Sequence, residues 1–148
     1  MADSKLEAIV IGNSAAALQG VPITTQDIDL FVRDTKVNQE KIKSLVVALG
    51  PGVVASRPFE PSSKMIRIEG LAFDIDIVFE LSSRVKFESL RSRASEIPIG
   101  SGKLKVADLS DVVAAKKAAN RPKDVASLPI LEHALEVRRE MKDDETNG

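Results

Sequence analysis

Cysteine is absent, so disulfides, thiolate metal centres and a thiol nucleophile are excluded together. A single histidine, His133, leaves no histidine-rich zinc site, and nothing in its helical surroundings assigns it a role. Tryptophan and tyrosine are missing and phenylalanine numbers five, which removes the stacking platforms on which single-stranded nucleic acids are held. An excess of either charge is also lacking. With 21 Lys and Arg against 22 Asp and Glu, the net charge is −1, so any nucleotide must meet a local patch and not the whole surface. Metal chemistry in this chain has to be carboxylate chemistry. The polar start Met1-Ala2-Asp3-Ser4-Lys5 is followed by an apolar run about half as long as a signal or spanning segment requires. A cytoplasmic protein without a membrane partner is expected.

Carboxylates are what the sequence does have, and in unusual places. Gln26-Asp27-Ile28-Asp29-Leu30-Phe31-Val32 reads as a strand, with Ile28, Leu30 and Val32 alternating against Asp27, Asp29 and Phe31. Asp27 and Asp29 leave one face about 7 Å apart along the backbone, close enough to share a cation. An edge strand with its polar face in water is the other reading of an isolated Asp-x-Asp. A second strand repeats the pattern: in Leu71 to Phe79, Leu71, Phe73, Ile75, Ile77 and Phe79 share one face, while Asp74 and Asp76 share the other. Strands avoid aspartate, so four on two apolar strands mark a site where propensity yields to chemistry. An oxygen-seeking dication such as Mg²⁺, held by one or two carboxylates and substrate phosphates, makes such an arrangement favourable.

Around these strands the chain reads as α/β, with 148 residues sufficing for one domain over 1–142 and a charged, disordered tail at 143–148. Ala8-Ile9-Val10-Ile11 is a buried strand that turns at Gly12-Asn13-Ser14 into a short helix from Ala15 to Gln19, capped by Asn13 or Ser14. Such a turn offers free backbone N–H groups to an anion, or is an ordinary helix cap. Asn38 caps a packing helix on which Ile42, Leu45, Val46 and Leu49 form a stripe, with Val37 stapled to Ile42. Val53-Val54-Ala55 and Met65 to Ile68 read as strands around a polar loop from Pro58 to Lys64. A short helix carries Phe87, Leu90 and Ala94, and Glu96 to Val106 is a hairpin about Gly100-Ser101-Gly102. In the helical last third, Asp108 or Ser110 caps a helix with Leu109, Val112 and Val113 on its buried side. Lys116 continues that stripe and needs an anion or a route to water. Pro122 opens the last helix and Asp124 suits its N-terminal dipole.

Ile11-Gly12-Asn13-Ser14, Asp27-Ile28-Asp29 and the later Asp76 or Asp74, in this order, resemble the nucleotidyltransferase superfamily related to DNA polymerase β. Gly20 to Leu30, Asp111 to Lys116 and Arg121-Pro122-Lys123-Asp124 are similar to the single-domain group of AbiEii-type toxin nucleotidyltransferases. The likeness spans about residues 6 to 136. Asn13 stands where that family usually has Gly or Ser, and Ile23 where many toxin relatives carry Arg. The resemblance implies a small mixed twisted sheet with helices mainly on one side and a helical C-terminal part closing over a nucleotide cleft. It implies a Mg²⁺-dependent enzyme, with Mn²⁺ as an alternative ion, moving an NMP unit from an NTP to the hydroxyl of an RNA, protein or small-molecule acceptor. Asp27, Asp29 and Asp76 would be catalytic, and with Asp74 would hold a two-metal site; Asp76 is preferred to Asp74 as the third carboxylate. Gly12, Asn13, the Ser14 hydroxyl and Lys116 would hold the phosphates. The alternative is a weak or inactive nucleotide-binding module paired with an antitoxin.

Overall fold

The computed structural model describes residues 6–56 and 65–147, with side chains described as far as Asp143. The expected loop from Pro58 to Lys64 lies outside the described residues. The described residues form strands β1 (Ile9–Ile11), β2 (Asp27–Phe31), β3 (Val54–Ser56), β4 (Met65–Glu69), β5 (Asp74–Val78), β6 (Ser95–Ile99) and β7 (Gly102–Val106). They also form helices α1 (Gly12–Leu18), α2 (Lys36–Leu49), α3 (Phe87–Arg93), α4 (Leu109–Ala119) and α5 (Pro122–Asn147).

The strands make one mixed sheet in the order β3-β4-β5-β2-β1-β7-β6. The pairs β2/β5 and β1/β7 are parallel and the other four pairs are antiparallel. The two aspartate strands are therefore central neighbours, although the whole of α2 and two further strands separate them in the chain. Two apolar clusters pack the sheet against the helices and leave the aspartate corner of the β2/β5 pair without apolar lining. The larger unites Ile9, Phe31 and Val106 with Ala15 and Ala16 of α1, Phe87 and Leu90 of α3, Val112 and Val113 of α4, and Leu131 of α5. In the smaller, Ile42 of α2 packs with Val32, Ile68 and Ile77. Fully burying a side chain such as Leu131 is worth about 2–3 kcal/mol.

Several local expectations change in three dimensions. Thr35, not Asn38, caps α2: its side chain accepts from Asn38 N at 3.0 Å, while the Asn38 amide donates to Arg33 O. Val37 lies inside α2, is exposed and staples nothing. The first helix begins at Gly12, with Ile11 preceding it and no side-chain cap from Asn13 or Ser14. The second aspartate strand starts only at Asp74, leaving Phe73 exposed before it. Helical backbone in α5 continues to Asn147, beyond Lys142, where the sequence predicts a charged tail. Asp108 does cap α4, accepting from Ser110 N at 3.0 Å. Among the described residues no helix is long and apolar enough to cross a membrane.

One ion cluster ties the start of the described chain to this frame. Glu7 meets Arg33 after β2 at 2.6 Å, Lys105 of β7 at 2.7 Å and Arg91 of α3 at 2.9 Å. Hydrogen bonding from Lys105, working against partial burial and helped by Arg33, holds the Glu7 carboxyl at about 2. Arg33 also lies 4.2 Å from the centre of the Phe87 ring, which packs against Phe31.

Candidate functional site

The parallel register of β2 and β5 sets Asp27 opposite Asp74 and Asp29 opposite Asp76. Paired residues in a sheet project to the same face, so the four carboxylates form a two-by-two array on strands about 4.8 Å apart. Like charges placed directly opposite one another repel, and nothing in apolar packing requires them here. The cost falls on Asp29, whose carboxyl is raised from 3.8 to about 6, first by burial and then by the charges of Asp76 and Asp27. Lys116 and Lys123 pull it in the opposite direction. Beyond Asp29 the same face becomes apolar at Phe31, which is buried.

Gly12 is what lets Asp29 sit where it does. Its φ is +64°, and a Cβ there would come within 2.7 Å of Asp29 Oδ2. Ser14 fastens this turn to β2: its hydroxyl donates to Ile11 O at 2.8 Å, and its oxygen accepts from Asp29 N at 3.2 Å. With its side chain buried and its proton donated to Ile11 O, the Ser14 hydroxyl here braces the turn, and a phosphate would have to draw that proton away from the carbonyl. Asn13 Oδ1 is buried and has no hydrogen-bond partner among the described residues. An acceptor left in that state costs about 1–3 kcal/mol.

Asp76 is not the open third carboxylate that the sequence suggests. Arg67, opposite it across the antiparallel β4/β5 pair, donates from Nε to Asp76 Oδ1 at 2.8 Å and from Nη2 to Oδ2 at 3.2 Å. Both oxygens of a carboxylate only 6% exposed are engaged by one guanidinium, whose charge also acts on Asp27 and Asp74. Asp74 has no side-chain hydrogen bond or ion pair among the described residues. Arg67 was missed because its partner is fixed by strand register, although a charged residue between Ile66 and Ile68 was the available signal.

Lys116 does find the anion that its inward-facing position demands, and the anion is a protein one. Its Nζ lies 3.4 Å from Asp124 Oδ1, a side chain only 1% exposed. Asp124 is the third residue of α5 and reaches back to Arg121 N at 3.2 Å, as in half of a capping box, and to Arg121 Nε at 2.6 Å. Burial pushes its pKa up, but the Arg121 hydrogen bonds and the Lys116 charge bring it below the usual range. Asp124 thus fixes the end of a lysine whose charge is felt at Asp29. Lys123 joins Lys116 in that field; it was not singled out from sequence because it lies on no buried stripe.

The donor set can be tested for the dication that the resemblance implies. Among the described residues, no three acidic or histidine side chains are gathered so as to hold a metal ion by themselves. Asp27 and Asp29 nevertheless fit one ion of the Mg²⁺ type, which takes one or two carboxylates and completes its shell with water and substrate phosphate. The proton affinity of Asp29 is raised first by burial and then by the neighbouring Asp76 and Asp27 charges, which Lys116 and Lys123 offset only in part. Asp76 is engaged by Arg67 on both oxygens, so a second ion there would have to displace that guanidinium or share the carboxylate with it.

No family model matches the chain, and no curated protein matches it. Among solved structures it is similar to a candidate nucleotidyltransferase from Thermotoga maritima, with a TM-score of 0.55 and 18% identity over 94% of this chain and 84% of that one. It is also matched to a candidate nucleotidyltransferase from H. pylori, with a TM-score of 0.41 and 15% identity, covering 76% of this chain and half of that one. The first likeness shows the fold: a nucleotidyltransferase-like α/β architecture with a mixed open sheet.

Proposed function

We propose that this protein is a metal-dependent nucleotidyltransferase that moves an NMP unit from an NTP to an acceptor hydroxyl. The observation that carries the reading is the in-register pairing of Asp27-x-Asp29 with Asp74-x-Asp76 at the sheet centre, with the Asp29 carboxyl raised to about 6. In this reading Asp27 and Asp29 hold Mg²⁺, which when bound supplies charge neutralisation to the triphosphate. Gly12 and Asn13 offer backbone N–H groups to the terminal phosphates, and Lys116 and Lys123 neutralise charge on the same side. The acceptor oxygen forms its bond to the α-phosphorus as the bond to the β-phosphate oxygen breaks, and pyrophosphate leaves. Asp74, which is placed neither on the ion nor in a side-chain hydrogen bond among the described residues, takes the acceptor's proton.

The guanidinium on Asp76 favours one second reading, a nucleotide-binding module of low turnover within an AbiEii-like toxin and antitoxin pair; a small antitoxin gene beside this one would support it. The test of the first reading is thermal and chemical together. Mg²⁺ and an NTP added jointly should raise the melting temperature more than either alone, and α-labelled NTP should mark an acceptor. Asp29→Ala should abolish both effects. Wild-type labelling by that variant would refute the assignment.

A further inference from the structure

The array holds four carboxylates, yet it already contains a cation of its own. Arg67 projects from β4 onto Asp76 through two hydrogen bonds of 2.8 and 3.2 Å. Its side chain is one-third exposed and Asp76 is buried, so the guanidinium closes that corner of the array from the solvent side. Antiparallel pairing of Arg67 with Asp76 and parallel pairing of Asp76 with Asp29 put Arg67, Asp76 and Asp29 in one row across three adjacent strands. The guanidinium takes one lone pair on each Asp76 oxygen and its fixed positive charge repels a dication at the same carboxylate, so an ion binds Asp76 only where Arg67 moves away. The fork is planar, permanently charged and anchored on a strand, whereas an incoming ion must shed water to take its place.

We infer that Arg67 is a positioning residue that stands in for a second metal ion: it holds Asp76 in the row, neutralises it, and limits the site to one dication on Asp27 and Asp29. This inference rests on the proposed metal-dependent function and adds the number of ions that function uses. On the Asp76 side, a fixed side chain then supplies the positive charge that a mobile ion would otherwise bring. The consequence is a single-ion site whose occupancy follows one simple binding curve.

The stoichiometry of Mn²⁺ binding tests this without reference to turnover. The full chain is titrated with Mn²⁺ in the presence of a non-hydrolysable NTP, and bound ion is read by calorimetry and by the loss of free-ion paramagnetic signal. The wild type should bind one Mn²⁺ per chain and Arg67→Gln should bind two, the second being lost again in Arg67→Gln combined with Asp76→Asn. Arg67→Lys keeps a cation at the position and serves where the glutamine variant fails to fold; it should stay at one. Two ions in the wild type or in Arg67→Lys, or one in a folded Arg67→Gln, overturn the inference while leaving a metal-dependent function standing. No ion bound by any of these proteins overturns both.

Discussion

Replacing Asp29 with asparagine should stabilise the free protein at neutral pH, because the aspartate is held ionised in surroundings that favour its protonated form. Its carboxyl is raised from 3.8 to about 6 by burial and by the charges of Asp76 and Asp27. A tenfold change in proton affinity is worth about 1.4 kcal/mol, so above pH 6 the folded state carries a penalty of about 3 kcal/mol at this residue. The sign follows from linkage. Below the unfolded value of 3.8 both states are protonated and there is no penalty; as pH rises towards 6 the unfolded state releases its proton first, and stability is lost. An asparagine side chain is nearly isosteric with aspartate and has no charge to lose. Asp29→Asn should therefore raise the urea midpoint by about 1–2 M at pH 7.5, and the gain should shrink to a few tenths of a kcal/mol near pH 3.5. Coincident midpoints at pH 7.5, or a gain independent of pH, would refute the electrostatic account of the array.

Two further perturbations probe the parts that support it. Gly12→Ala places a Cβ 2.7 Å from Asp29 Oδ2 at a φ of +64°, and should cost about 2–3 kcal/mol in denaturant unfolding; a neutral result would mean that this turn does not constrain Asp29. Glu7→Gln removes the carboxylate shared by Lys105, Arg33 and Arg91. Because Glu7 is held at about 2, its contribution is present above pH 4.5 and lost as pH falls through 2; allowing for partial exposure, the variant should lose about 1 kcal/mol at pH 7 and match wild type near pH 2.

The crowding of charge at Asp29 also marks the divide between what was legible in the sequence and what was not. Two Asp-x-Asp runs on alternating apolar strands break local propensity, and such a break is visible in a single chain. The parallel register that makes them face one another depends on where β1 and β5 flank β2, and that is decided by packing far from either run. Arg67 and Asp124 escaped for the same reason: each meets its partner only after strands pair or helices dock, and each looks ordinary beside its sequence neighbours. Capping was legible in kind but not in position, since Thr35 and Asn38 are both good cap residues and only the Asn38 bond to Arg33 O separates their roles. That the Ser14 hydroxyl donates to Ile11 O, 2.8 Å away, is likewise not visible in the sequence.

Crystals grown with Mn²⁺ and a non-hydrolysable NTP, analysed by anomalous diffraction, address the paired carboxylates most directly. The account predicts one anomalous peak coordinated by Asp27 and Asp29, with the nucleotide's phosphates completing its shell and reaching the turn at Gly12 and Asn13. A nucleotide bound with no ion at Asp27 and Asp29, or an ion seated elsewhere on the protein, would contradict it.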